Sequence, residues 1–123
     1  MPNLITSLSL KDTIFDPDND ERVAYVRQPK SQQPLYKVWL YLDGPSLPFV
    51  ERVTYTLHPT FPQPVRTVPR TVSNPRCGLV IWTWGTFTVK ALVEDKQGNK
   101  VSLEQYLTYG KQVQQKGVKF VSV

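Results

Sequence analysis

Residues 36–43 read YKVWLYLD, and this stretch decides the fold class. Its apolar side chains recur at every second position on one face of an extended chain: Val38, Leu40 and Leu42. A period of two is typical of a β-strand with one buried face. The turn-forming residues Asp43-Gly44-Pro45 follow and end the run. The sequence therefore predicts a strand over residues 36–43.

The same alternation recurs along the chain. Residues 49–58 carry three apolar residues on one face: Val53, Tyr55 and Leu57. Residues 87–95 carry four: Phe87, Val89, Ala91 and Val93. Further short strands are predicted at residues 23–26, 79–82, 100–109 and 118–123. Because no segment of a dozen residues has a convincing helical stripe, seven to eight short strands predict an all-β sandwich.

Proline restricts one part of this sandwich. Residues 61–78 contain four prolines, and a fifth lies just before them: Pro62, Pro64, Pro69, Pro75 and Pro59. Proline has no N–H to donate to a central ladder, so this stretch is predicted to hold only edge strands and turns. Gln97-Gly98-Asn99, by contrast, is predicted to be a hairpin turn between two alternating runs.

A chain of 123 residues fits one domain with one sizeable core. Residues 1–34 are weakly patterned and are interpreted as N-terminal strands and loops of that same domain, whose main body is residues 35–123. Within them, residues 16–20 and 29–34 are predicted to be loops. The chain ends at Val123 inside a β-prone run, so we expect that it could be cut from a larger protein with partner domains.

Composition excludes several classes of protein. The single Cys77 cannot form an internal disulfide, and neither a signal peptide nor a membrane-spanning run is visible. We therefore expect a cytoplasmic protein with no membrane partner. The net charge of +5 is modest and scattered. One basic group lies in a single loop region: Arg66, Arg70 and Arg76. This group makes nucleic acid a candidate partner, but a weak one, because the charge excess is low and no recognition helix accompanies it.

Catalytic chemistry has little support in the sequence. A nucleophile needs a base within hydrogen-bond reach, and the chain has one histidine, His58, and one cysteine, Cys77. Cys77 lies in a Pro-Arg-Cys-Gly loop with no second chemical feature beside it. Metal sites need several ligands at set spacings, and phosphate sites need a glycine-rich loop. The sequence predicts no catalytic residue, no metal and no cofactor.

Two short motifs end strand-like runs: Leu57-His58-Pro59-Thr60-Phe61 and Trp84-Gly85-Thr86-Phe87. Phe87 and Trp82 are predicted to be core residues, but Phe61 and Trp84 lie on turns where no strand continues. If the two turns meet at one end of the sandwich, these two rings become the walls of a narrow slot. His58 then orients the Thr60 hydroxyl, which donates to a ligand carbonyl inside the slot. Local roles for His58 and Thr60, holding or capping the turn, remain equally open.

Together these motifs resemble the YEATS domain family. The resemblance covers about half of the chain: residues 37–42, Gly44-Pro45, residues 50–66 and Trp84-Gly85-Thr86-Phe87. Its most specific part is L-H-P-x-F-x-x-P followed by W-G-x-F, and it looks like the prokaryotic branch, pYEATS. The resemblance implies an immunoglobulin-like sandwich that acts as a non-enzymatic reader of acylated lysine on a protein or peptide.

The resemblance also implies roles for individual residues. Phe61 and Trp84 would enclose the acyl amide, Thr60 held by His58 would contact that amide, and a backbone N–H at Trp84 or Gly85 would bind the acyl carbonyl. Thr83 stands where family members usually have a small Gly. Acyl-lysine readers also carry a further aromatic before the first matching strand; Tyr36 is the candidate for it, but its alternation with Val38 predicts that it is partly core. The predicted ligand-binding residues are His58, Thr60, Phe61, Thr83, Trp84, Gly85 and Thr86.

One alternative keeps the fold without the ligand. The chain would then be a protein-interaction or sensor domain of a bacterial defence or signalling protein that does not bind acyl-lysine. The two hypotheses differ in whether a gap stands between the rings of Phe61 and Trp84.

Overall fold

The structure, a computed structural model, describes residues 7–16, 22–28 and 33–123. Over these residues, two β-sheets pack face to face, which confirms the predicted all-β sandwich. The described residues form nine strands, slightly more than predicted, and one short helix. They are β1 (Ser9–Thr13), β2 (Val23–Arg27), β3 (Leu35–Asp43), β4 (Val50–Thr56), β5 (Val65–Pro69), β6 (Leu79–Thr83), β7 (Thr88–Asp95), β8 (Lys100–Tyr106), α1 (Tyr109–Val113) and β9 (Lys119–Ser122), with a 3₁₀ turn at Leu47–Phe49 before β4.

The first sheet has four antiparallel strands in the order β5-β4-β7-β8. The proline-rich strand β5 lies at its edge, as the sequence predicts, because an edge strand tolerates the missing proline N–H. Strands β7 and β8 form the predicted hairpin. The side chain of Asp95 closes its turn by accepting the N–H groups of Gln97 and Asn99, both at 2.8 Å.

The second sheet is built around β3. Strand β6 pairs with one edge of β3, from Tyr36 opposite Thr83 to Leu40 opposite Leu79. The other edge is shared, because β1 pairs with the C-terminal half of β3 and β2 pairs with its N-terminal end. Strand β9 then adds to β2 in parallel. The outer face of this sheet therefore carries the residues that alternate with Val38 and Leu40 in β3.

The core lies between the inward faces of the two sheets. The alternating residues of β3, β4 and β7 are fully or nearly fully buried, as the period-two patterns predict: Val38, Leu40, Leu42, Val53, Tyr55, Leu57, Val89, Ala91 and Val93. Burying one such large apolar side chain contributes about 1.5–3 kcal/mol. Tyr55 brings a polar atom into this core, and its hydroxyl donates to the Cys77 carbonyl at 2.6 Å.

Helix α1 is absent from the sequence predictions because its five residues are too few to show a helical stripe. A buried carboxylate fixes its start. Asp12 of β1 accepts the N–H groups of Thr108 at 2.8 Å and Tyr109 at 2.9 Å, and also the Thr108 hydroxyl at 3.1 Å. These bonds tie the end of β8 to the opposite sheet. Leu103 and Tyr106 lie in β8.

Some sequence predictions fall outside the described residues. The predicted loop at 16–20 is described only at residue 16, and the one at 29–34 only at residues 33 and 34. In the described part of the chain, no helix is long and apolar enough to cross a membrane.

Candidate functional site

Two loops meet at one end of the sandwich because of strand pairing. Strands β4 and β7 are antiparallel with Thr56 opposite Lys90, so the end of β4 lies beside the start of β7. The loop after β4 is closed by the Leu57 N–H, which donates to the Pro64 carbonyl at 2.7 Å. The loop between β6 and β7 crosses from the other sheet and arrives at the same place. The two sequence motifs are therefore neighbours in space.

A cleft of about 470 Å³ opens between the two loops. We call it the near lobe of the aromatic slot, and its lining is His58, Thr60, Phe61, Thr83, Trp84, Gly85, Thr86 and Phe87. All seven residues that the sequence predicts for the site are in this set. The volume lies within the usual range of small-molecule pockets.

A second cleft of about 280 Å³ adjoins the first. We call it the far lobe, and its lining is Thr60, Phe61, Pro62, Trp82, Thr83 and Trp84. Four residues line both lobes: Thr60, Phe61, Thr83 and Trp84. The slot therefore continues past Phe61 and Trp84 and opens on both sides of them.

The rings that bound the slot differ in how they are held. Phe61 is half-buried, and its ring centroid lies 5.4 Å from that of Phe87, which in turn meets His58 edge-on at 5.9 Å. Trp84 is 66% exposed. Within the described residues, no ring contact joins Phe61 to Trp84. The gap between these two walls is open, and Phe87 forms its floor.

His58 and Thr60 form a hydrogen-bonded pair whose polarity can be worked out. The Thr60 N–H donates to His58 Nδ1 at 3.3 Å, so Nδ1 is an acceptor. The Thr60 hydroxyl lies 2.8 Å from the same Nδ1 and must therefore donate to it. The hydroxyl hydrogen is used within the protein, and the oxygen of Thr60 offers lone pairs to a ligand. Such an oxygen accepts an amide N–H. It does not donate to a ligand carbonyl, which is the contact that the sequence predicts for Thr60.

Hydrogen bonds from Thr83 and Tyr109 hold the Trp84-Gly85 turn. The Thr83 hydroxyl donates to the Gly85 carbonyl at 3.1 Å and accepts the Gly85 N–H at 3.4 Å. The Tyr109 hydroxyl donates to the same carbonyl at 2.7 Å. Within the described residues, the Trp84 N–H has no hydrogen-bond partner. Three hydrogen bonds thus hold the turn, and the Trp84 N–H is available to a ligand.

Side chains beyond the turn complete its support. The Thr86 hydroxyl lies 2.8 Å from the Tyr106 hydroxyl, which ties the loop to β8. Burial raises the pKa of Tyr109 to about 12, so this phenol stays a hydrogen-bond donor at neutral pH. Tyr36 does not line the slot, and its half-buried ring packs against Tyr109 at 6.0 Å and Phe120 at 6.4 Å. It packs partly against the core, as its alternation with Val38 predicts, and does not serve as an additional slot aromatic.

The slot is nearly free of charge. None of its lining residues carries a carboxylate, an ammonium or a guanidinium, and His58 is its one titratable group. Cys77 is fully buried at a different place in the fold, and burial raises its pKa to about 11, so its thiol stays protonated at neutral pH. Among the described residues, no group of three potential ligands could hold a metal ion. The arrangement suits the binding of a flat, neutral amide.

The three arginines that made nucleic acid a candidate are engaged with the protein itself. Arg66 donates to the Gln63 and Pro62 carbonyls at 3.1 Å each, which stiffens the loop that bears Phe61. Arg70 donates to the Pro75 carbonyl at 3.1 Å. The guanidinium of Arg76 lies 5.9 Å from the ring centroid of Tyr41. These contacts account for the basic group as loop supports.

Comparison with protein families gives one decisive match. The sequence profile of the prokaryotic YEATS domain matches residues 36–108, more than half of the chain. The chain belongs to the prokaryotic YEATS family. YEATS domains are binding modules rather than enzymes, and the matched region contains every residue of the near lobe.

A solved YEATS structure has the same fold. The chain is similar to the Yaf9 YEATS domain recognizing an H3K122suc peptide, with 17% sequence identity and a TM-score of 0.55. The similarity covers 87% of this chain and 71% of that chain. It supports the immunoglobulin-like sandwich expected of a YEATS domain. Comparison with curated proteins gives no match.

Sequence reasoning missed three slot residues: Pro62, Trp82 and Phe87. Phe87 packs against the core as predicted but also forms the slot floor, since β7 begins only at Thr88. The prediction of Trp82 as core is wrong. It alternates with the buried Ile81 and Thr83, lies on the outer face, and carries the Arg27 guanidinium 4.2 Å from its ring centroid. The alternation was visible in the sequence, but five residues do not show which face is buried.

Proposed function

We propose that this pYEATS domain binds the acylated side chain of a lysine in the aromatic slot. The observation that carries the proposal is the open gap between Phe61 and Trp84, with the His58–Thr60 pair at its side. An acylated lysine has no charge and a planar amide, so it enters an apolar gap without an ionic desolvation cost.

One polar group of the slot binds the amide N–H of the ligand and another binds its carbonyl. The Thr60 oxygen accepts the amide N–H, because its own hydrogen is donated to His58. The Trp84 N–H donates to the acyl carbonyl, because Thr83 already engages the N–H of Gly85. The rings of Phe61 and Trp84 cover the two faces of the amide. Each amide atom thereby meets a partner of the opposite hydrogen-bonding type.

These contacts predict modest affinity. Burying ~100 Å² of acyl chain contributes about 2.5 kcal/mol, ring packing adds roughly 0.5–1.5 kcal/mol per pair, and each amide hydrogen bond adds about 1 kcal/mol. After the cost of association, dissociation constants on the order of micromolar to millimolar remain. Unmodified lysine should bind far more weakly, since its ammonium would lose water in a slot without a carboxylate.

The fold neighbour supports a peptide-borne ligand, because the Yaf9 YEATS domain recognizes an H3K122suc peptide. The shape of the slot, which is open at both ends, bears on the length of the acyl group. A slot that continues past Phe61 and Trp84 into the far lobe accommodates acyl groups longer than acetyl, including the planar crotonyl group.

The test is a titration with acetyl-lysine, crotonyl-lysine and unmodified lysine peptides, followed by ¹⁵N NMR of the three tryptophan indole N–H signals. Trp84 and Trp82 lie in the slot, whereas Trp39 lies on the outer face and serves as an internal reference. We expect the Trp84 signal to shift most, the Trp39 signal to stay, and unmodified lysine to have no effect.

The outcomes separate the two hypotheses. Saturable shifts at Trp84 and at the amides of Thr60 and Gly85 support acyl-lysine binding. Silence across all acyl peptides, from a folded protein, would reject it and favour the protein-interaction or sensor domain.

A further inference from the structure

We propose that the slot favours acyl groups that end in a carboxylate, such as succinyl-lysine, and that Arg27 is the residue responsible. This inference rests on the proposed function and concerns the far lobe. Nothing in the sequence motifs includes Arg27, which lies in β2, outside the residues that match the family.

The geometry begins with Trp82. Its side chain lines the far lobe, and the guanidinium of Arg27 lies 4.2 Å from the centroid of its ring. Strands β2 and β6 pair with opposite edges of β3, so Arg27 reaches across the outer face of β3 to stack on Trp82. At the exit of the slot, a guanidinium is thereby held on a ring that lines the far lobe, while Arg27 itself lies beside the lobe and not in its lining.

Within the described residues, no ion pair neutralises the positive charge of Arg27. No residue that lines either lobe has a carboxylate, so an anionic group meets no like charge in the slot. The ion pairs of the described residues are Lys11 with Asp43 and Arg52 with Glu51 and Glu94, and none of them involves Arg27. Arginine also presents a planar donor fork that matches a carboxylate.

The sizes of the lobes set the direction of the ligand. The near lobe, about 470 Å³ with Phe87 as an apolar floor, fits the methylene stem of lysine and the amide. The far lobe, about 280 Å³, fits the few remaining atoms of the acyl group. A four-carbon acyl chain that passes between Phe61 and Trp84 then ends beside Trp82, where Arg27 lies.

The experiment compares succinyl-lysine with butyryl-lysine in the same peptide, since these two acyl groups have the same number of carbons and differ by a terminal carboxylate. Both affinities are measured for the wild type, for Arg27→Gln and for Arg27→Lys. Lys100→Gln is the matched control, because it removes one exposed positive charge at the start of β8, at the end of the sandwich away from the slot.

We expect Arg27→Gln to weaken succinyl-lysine binding relative to butyryl-lysine by about two- to fivefold, the range of an exposed ion pair. Arg27→Lys should retain only part of the difference, since it keeps the charge but loses the planar fork. Lys100→Gln should retain all of it, and high salt should reduce it in the wild type. Equal losses for both ligands in Arg27→Gln, or no loss, would overturn the inference while leaving the proposed function intact. Absence of binding by both ligands to the folded wild type would overturn the two together.

Discussion

Replacing Trp84 by alanine separates binding from folding better than any other change in the slot. Its indole is 66% exposed and makes no ring contact within the described residues, so the fold gains little from it. We therefore expect the free energy of unfolding of Trp84→Ala to stay within about 0.5 kcal/mol of the wild type. Phe61→Ala would be less informative, because that ring also packs on Phe87.

The expected loss of affinity follows from the same exposure. If the acyl amide covers one face of the indole, about 80 Å² of its apolar surface leaves water, which contributes about 2 kcal/mol. Since 1.4 kcal/mol corresponds to a factor of about ten, Trp84→Ala should weaken crotonyl-lysine binding about thirtyfold. Trp84→Phe keeps a flat ring and should lose only a few-fold.

The assay pairs calorimetric or NMR titration of a crotonyl-lysine peptide with urea unfolding of the same samples. Phe49→Ala is the control, since Phe49 is also a partly exposed ring, 44% exposed, but precedes β4 at the opposite end of the sandwich. An affinity of Trp84→Ala within twofold of the wild type would show that the indole is not a wall of the binding site. A large loss of stability would show that it supports the fold instead.

Three further predictions follow from single contacts. Thr60→Val removes the lone pairs offered to the ligand amide and should weaken crotonyl-lysine binding about fivefold, whereas Thr60→Ser should not; equal affinities in titration would contradict the assigned polarity. Tyr55→Phe leaves the buried Cys77 carbonyl without its donor, and urea unfolding should show a loss of about 1–3 kcal/mol with acyl-lysine affinity unchanged. Burial raises the pKa of the Cys77 thiol from 9.0 to about 11, so the folded state holds this proton more tightly than the unfolded state. Stability should therefore fall as the pH rises from 9.0 to about 11, and urea midpoints across this range should fall less steeply for Cys77→Ala; identical slopes would rule out this contribution.

The sequence by itself determined the fold class and most of the lining of the candidate site. Alternation in β3, β4 and β7 identifies the buried faces, because a strand with one buried face must place an apolar side chain at every second position. Prolines between Phe61 and Gly78 limit that region to an edge strand. The two turn motifs supplied six of the seven predicted residues, since rings beside Pro and Gly cannot continue a strand, and Thr83 comes directly before the second motif.

Only the tertiary structure decided what lies around those motifs. That Trp82 faces outward and carries Arg27 depends on which side of a five-residue strand meets the other sheet, and on a stacking contact across β3. The anchoring of α1 by Asp12 joins residues 96 positions apart. The lone pairs of Thr60 depend on hydrogen bonds of 2.8 and 3.3 Å to one imidazole nitrogen. Local patterns record which residues prefer burial or a turn, whereas contacts between distant segments exist only once the two sheets have packed.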